Sequence, residues 1–347
     1  MTEFLKGGSE YISSLIYEAV KDGSRIATVT GNHEIEAVVF IPSDFTLILD
    51  GCHLKMADGV FSNMFRNQNG KAGDKNIKIL GKNGAVLDGG NYNGLSEKTQ
   101  NTGNFPAIWN NNLILLANVD GFEESGFSCI NQRWWALNHY FCRNGKISDI
   151  HFCSSDIAID ENGNQYRGLV RSKYKDVLVK NSDGIDLRQG CHDIVIENIT
   201  GFTEDDTVAL TNLNGKSEKL FGVEGLSKDI YNVTIKNVRA SAFCSIVRLL
   251  NQGGTKLHDI VIDGVYDTSE DCPHLDVGGL GVRIGDNKHM YGDRHSTKEE
   301  TYNITVKNVY SRATASLALA GGISNLTYEN ITAGPDTIAV LDERAEI

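Results

Sequence analysis

Asp183, Asp205 and Asp206 are the residues of this chain whose type and spacing could do chemistry. The first stands in Asn181-Ser182-Asp183-Gly184-Ile185-Asp186, the other two in Thr203-Glu204-Asp205-Asp206-Thr207-Val208-Ala209-Leu210. Each piece alone reads blandly, because an Asp-Gly pair usually makes a turn and an acidic pair usually faces solvent. Their separation changes the reading. If the two segments belong to successive coils of a solenoid, residues one coil apart lie side by side, and three carboxylates gather on one outer face. Like charges at close range raise at least one pKa, so one carboxyl keeps its proton near neutral pH while its neighbours stay ionised. Inverting hydrolysis of a glycosidic bond needs that division of labour: an acid on the leaving oxygen and a base on water, roughly 6.5–9.5 Å apart. Glu204 adds a further polar group beside the pair, whereas strand alternation is expected to turn Asp186 away from Asp183.

The elements that would position these acids are visible as a repeated phrase. Asp149-Ile150-His151-Phe152, Asp176-Val177-Leu178-Val179-Lys180-Asn181, Asp193-Ile194-Val195-Ile196-Glu197-Asn198 and Asn232-Val233-Thr234-Ile235-Lys236-Asn237 share a polar turn residue, a β-branched alternation and a polar exit. Further copies begin at Asp259, Asn303 and Asn325, with a weaker one at Asn76. Each copy is a half-buried strand that cannot hide its apolar face alone, so copies must stack. The fold class expected is all-β: a single-stranded right-handed parallel β-helix, with the exit Asn residues stacked as a ladder. Tyr11-Ile12-Ser13-Ser14-Leu15-Ile16-Tyr17-Glu18-Ala19-Val20 has helical periodicity and is expected to cap the open end. Residues 1–30 then form the cap region and 31–347 the coils of one domain, with Ala37 to Ile41 and Phe45 to Leu49 as the first strands.

Composition narrows the partners. A formal net charge of -12, from 33 Lys and Arg against 45 Asp and Glu, argues against a nucleic-acid surface. No run approaches membrane-spanning length, and the start Met1-Thr2-Glu3-Phe4-Leu5-Lys6 lacks a basic segment followed by an apolar one. The chain as given reads as cytoplasmic, or as secreted if a leader was removed. Seven cysteines without CxxC spacing suggest buried free thiols rather than disulfides or zinc, so no cofactor or metal is expected. The expected partner is an oligosaccharide. Solenoid flanks can also associate into homo-oligomers, though no residue pattern selects one.

In its motifs the chain resembles the polygalacturonase family, glycoside hydrolase family 28, whose motifs run Asn-Thr-Asp, Gly-Asp-Asp, Gly-His-Gly and Arg-Ile-Lys. Asn181-Ser182-Asp183 matches the first and Glu204-Asp205-Asp206 the second. Asn76-Ile77-Lys78-Ile79-Leu80-Gly81, Val86-Leu87-Asp88-Gly89-Gly90 and Trp135-Ala136-Leu137-Asn138-His139-Tyr140 extend the resemblance over most of the chain. The resemblance implies that Asp205 is the general acid and that Asp183 and Asp206 hold and deprotonate the attacking water.

Two motifs depart from the family. The nearest match to Gly-His-Gly is Gly222-Val223-Glu224-Gly225, with Glu224 where the family has His. Arg248-Leu249-Leu250 stands for Arg-Ile-Lys, keeping Arg248 as a substrate contact and replacing the lysine by Leu250. Arg283, in Val282-Arg283-Ile284-Gly285-Asp286, could return the cation from a later coil. The missing lysine favours a neutral or different sugar over a uronic acid, because an anion needs a paired charge. Trp109, Trp134, Trp135, Tyr291, His289 and His295 are loop residues that could line a sugar cleft, while His139 and His192 read as structural. Two rival readings are a β-helical lyase or epimerase using Ca²⁺, which a chelator would inactivate, and a non-catalytic carbohydrate-binding β-helix.

Overall fold

The computed structural model describes residues 3–90, 108–132, 134–154, 157–159, 164–167, 182–272, 279–286 and 294–344. Its strands fall into two large parallel sheets that the chain visits alternately, which is the winding of a right-handed parallel β-helix. One sheet, here the site sheet, has ten strands, among them Leu137–Tyr140, Ile185–Leu187, Val208–Asn212, Ser245–Asn251, Leu280–Ile284, Ala315–Gly321 and Ile338–Arg344. The other, the ladder sheet, has 14 strands, including Arg143–Cys153, His192–Thr203, Ile230–Ala242, Leu257–Asp267, Thr301–Ser311 and Ser324–Ala333. An antiparallel pair, Ile157–Ile159 with Gln165–Arg167, stands apart from both.

Register explains why this sequence winds. On the site sheet Ile185, Val208, Val247, Val282, Leu317 and Val340 pair in one row. On the ladder sheet Ile147, Ile196, Ile235, Ile262 and Val306 pair in another. All but Val340 are fully buried. Branched side chains fit the pleated surface, and each one buried contributes roughly 1.5–3 kcal/mol.

Both ends of the phrases that begin at Asp193, Asn232, Asp259, Asn303 and Asn325 turn out to be bends within one long ladder-sheet strand rather than turns between strands. Asp193, Asn198, Asn232 and Asn237 lie inside their strands in the left-handed region, with φ of 55°, 58°, 51° and 50°. Only Asn, Asp and Gly visit that region cheaply, which is why the phrase repeats those types. Their side chains form the expected ladder: Asn198 Nδ2 donates to Asp149 Oδ1 at 2.9 Å and Asn237 Nδ2 to Asn198 Oδ1 at 2.9 Å. Asn330 Nδ2 continues it to Asn308 Oδ1 at 2.6 Å. The copy at 176–181 lies outside the described residues.

The N-terminal helix, Gly8–Lys21, buries Ile12, Ile16 and Ala19 against the first coil. That coil begins earlier than the sequence suggested. Ile26–Val29 and Asn32–Ile35 are already paired strands, hidden by their four-residue length and the Gly31 turn between them. Of the seven free cysteines, Cys52, Cys129, Cys142 and Cys191 are buried, Cys153 and Cys272 partly so, and Cys244 is exposed, so the core explains only some of them.

Candidate active site

Asp183 directly precedes the strand Ile185–Leu187, and Asp205 and Asp206 directly precede the strand of the next coil, Val208–Asn212. The Gly184 N–H donates to the Asp206 carbonyl at 3.0 Å, so the two strand entrances lie side by side. The sequence separation of the acids is therefore one coil. Asn181, the first residue of the motif holding Asp183, lies outside the described residues.

Asp183 is only 6% exposed. Burial, and then the charges of Asp186, Asp205 and Asp206, push its pKa well above the usual carboxylate range, with Arg188 opposing. Burial also raises Asp206 on balance, with Arg248, a hydrogen bond from Ser245 and Arg283 opposing the rise. Oδ1 of Asp183 and Oδ1 of Asp206 are buried without a hydrogen-bond partner. Such atoms are costly in a finished fold, and a bound water or substrate hydroxyl would satisfy them.

Asp186 does not turn away. Ile185 and Leu187 take the interior, which leaves Asp186 on the outer face, and Asp183 sits in the preceding turn where strand alternation does not apply. Burial raises Asp186 to about 8 against the nearby Arg188, with Asp206 and Asp205 adding to the rise. Arg188 Nη1 lies 3.4 Å from Asp186 Oδ1, and its Nη2 and Nε donate to Glu218 Oε1 at 2.9 and 3.2 Å. The guanidinium stacks 4.1 Å from the Trp135 ring. Glu218 belongs to a short helix, Lys216–Phe221, and is fixed there by the Gly215 N–H and the Ser217 hydroxyl, each 3.0 Å from Oε2. Sequence reasoning missed Arg188 and Glu218.

Along the outer face, Asp186, Ala209, Arg248 and Arg283 occupy one register row on four successive coils. Arg248 and Arg283 thus stand side by side, and both donate to Asp286 Oδ2, at 3.2 and 2.9 Å. The face then opens into a hollow of about 350 Å³ lined by Arg283, Asp286, Ala318, Ala320, Leu341 and Glu343 among others.

Glu204 and Glu224, both expected from the sequence to bind substrate, sit differently from the acids. Glu204 is fully buried next to Asp205, with the Ser182 hydroxyl 3.5 Å from Oε2. Glu224 is exposed in the loop after Lys216–Phe221, beyond the exit of Val208–Asn212, whereas the acids sit at strand entrances. The residue at the third entrance is Cys244, just ahead of Ser245–Asn251. Although solvent reaches part of Cys244, the dense surroundings of its thiol and the charges of Asp205 and Asp206 push its pKa up.

Trp109 and Trp135 are half-buried, Trp134 is buried, and His295 is half-buried; Tyr291 and His289 lie outside the described residues. His139 is fully buried 3.2 Å from Glu124 Oε2, and His192 stacks on Tyr231 at 4.5 Å between ring centroids, both packing roles. Among the described residues no group of three or more His, Cys, Asp or Glu is arranged to hold a metal ion.

No family model and no curated protein matches the chain. Among solved structures it is similar to 1,3-α-1,4-β-D-galactose-4-sulfate-3,6-anhydro-D-galactose-2-sulfate 4 galactohydrolase, with a TM-score of 0.58 and 11% identity over 91% of this chain and 81% of that one. It is also similar to the tailspike protein of E. coli bacteriophage HK620 in complex with pentasaccharide, with a TM-score of 0.53 and 11% identity over 97% of this chain. The match spans 61% of the tailspike chain's length. An exopolygalacturonase from Thermotoga maritima aligns at a TM-score of 0.49 and 12% identity over 92% and 71% of the two chains, too loosely to carry an argument. The first two likenesses establish the fold, a parallel β-helix.

Proposed function

We propose that this chain is a glycoside hydrolase of the polygalacturonase-like type, cleaving a glycosidic bond in an oligosaccharide with inversion at Asp183, Asp205 and Asp206. The observation that carries the reading is the meeting of these three carboxyls at adjacent strand entrances, where burial and like charges raise the pKa of Asp183 and burial that of Asp206. Fold neighbours that include a galactohydrolase and a tailspike solved with a pentasaccharide support it.

The role of Asp205 is the one the motif resemblance implies, and the electrostatics divide the other two acids more finely. Asp205, half-exposed, donates its proton to the glycosidic oxygen as that bond breaks. Asp206 takes a proton from water while the water oxygen bonds to the anomeric carbon from the opposite face. Arg248 and Arg283 favour the anionic form of Asp206 and so suit it as the base. Asp183, buried beside Asp186, keeps its proton and holds the water by hydrogen bonding, rather than sharing the deprotonation. Solvent then returns the proton from Asp206 to Asp205.

The test compares wild type with Asp205→Asn on a panel of neutral, uronic and sulfated oligosaccharides, measuring release of reducing ends. Wild type is expected to cleave at least one panel member, and the variant to be slower by a factor of about 10²–10⁴. Equal inactivity of both proteins across the panel would overturn the reading in favour of a binding protein.

A further inference from the structure

The row through Ala209, Arg248 and Arg283 continues on the next two coils as Ala318 and Leu341. The coil after Arg283 carries only short side chains at this point, and its Ala318 and Ala320 form part of the lining of the hollow of about 350 Å³. That volume falls within the range of small-ligand sites, about 300–1,000 Å³. Backbone completes the lining at Gly285, where φ is +74° and a Cβ would come within 1.8 Å of the Ala320 carbonyl oxygen. Three strand spacings, about 14 Å in all, separate this hollow from the coil of Asp206, so it would hold a sugar remote from the bond being cleaved.

Its charges decide what it can hold. Arg248 and Arg283 converge on Asp286 Oδ2, and Arg248 Nη1 also donates to the Gly285 carbonyl at 2.6 Å. Glu343 lines the same space. Asp286 therefore already offsets part of both guanidinium charges, and an incoming carboxylate or sulfate would also meet the like charges of Asp286 and Glu343. The alanine methyls call for an apolar partner. We propose that this hollow is a subsite for a neutral hexose carrying a methyl group, either 6-deoxy or N-acetyl, with the methyl against Ala318 and Ala320 and the hydroxyls on Arg283 and Glu343. This deepens the hydrolase reading by naming a substrate class, and it rests on that reading only in taking the hollow as remote from a bond that is cleaved.

The test is saturation-transfer NMR on the full chain with free L-fucose, N-acetylglucosamine and galacturonic acid, using wild type, Ala318→Trp and Asp206→Asn. At least one methyl sugar is expected to bind wild type and Asp206→Asn alike, with the strongest saturation at its methyl. Galacturonic acid is expected to bind about tenfold or more weakly, and Ala318→Trp to lose the methyl signal. A response to fucose alone assigns the 6-deoxy sugar, and one to N-acetylglucosamine alone the acetamido sugar. Ala320→Leu, a smaller filling of the same hollow, replaces the tryptophan variant if that variant melts early. Tighter binding of galacturonic acid, an unchanged methyl signal in the filled variant, or no binding by any of the three would overturn the proposal. Methyl-sugar binding without hydrolysis of any oligosaccharide would remove the hydrolase reading and leave the subsite. Hydrolysis without such binding would do the reverse.

Discussion

Asp186 and Asp183 are carboxyls that the fold holds in their neutral form. Their folded pKa values lie above the ordinary value of 3.8, so their contribution to stability is fully present below that value and is lost as pH rises through the folded pKa, about 8 for Asp186. Asp186→Asn should therefore raise the melting temperature relative to wild type at pH 8, and the gain should shrink towards pH 4; a gain independent of pH would contradict it. Arg283 acts on Asp206 in the opposite sense. Removing it in Arg283→Met lets the Asp206 pKa rise, so the acid limb of the pH–rate profile should move alkaline by on the order of one unit. At this scale the sequence showed what spacing alone can show. Asp183, Asp205 and Asp206 were legible because one coil separates them. Arg188 and Cys244 were not: the partner that fixes Arg188 comes from the inserted helix Lys216–Phe221, and a lone cysteine among core cysteines carries no pattern.

Asn237 represents what the elements depend on. It combines a left-handed bend, φ 50°, with a ladder hydrogen bond to Asn198. Asn237→Gly loses the hydrogen bond and keeps the bend, whereas Asn237→Ala loses both. In urea unfolding the alanine variant should be the less stable of the two by about 1–2 kcal/mol. Equal losses would mean that the bend is not under conformational control. The repeated phrase made the strands and the ladder readable in advance. It did not reveal that both ends of a phrase are bends inside a continuing strand, since Asn and Asp mark a bend and a chain reversal equally well.

The solenoid as a whole has ends, and the helix Gly8–Lys21 covers one of them through Ile12, which is fully buried. Ile12→Asp puts a charge into that contact and should uncover the strands Ile26–Val29 and Asn32–Ile35, giving concentration-dependent association by light scattering. A monomeric, unchanged protein would show that the helix is dispensable as a cap. Fold class was readable from repetition because every coil must bury the same face. The insertions between coils differ in length and composition, so the placing of Glu224 away from the acids could not be read from them.

The most direct measurement of the central claim is the configuration of the first product. A panel oligosaccharide cleaved by wild type should be followed by proton NMR from the earliest seconds, before the new reducing end mutarotates. The aspartate assignments predict a first-formed anomer inverted relative to the substrate, and no such signal from Asp205→Asn. A retained anomer, an unsaturated product, or undiminished cleavage by the variant would contradict them.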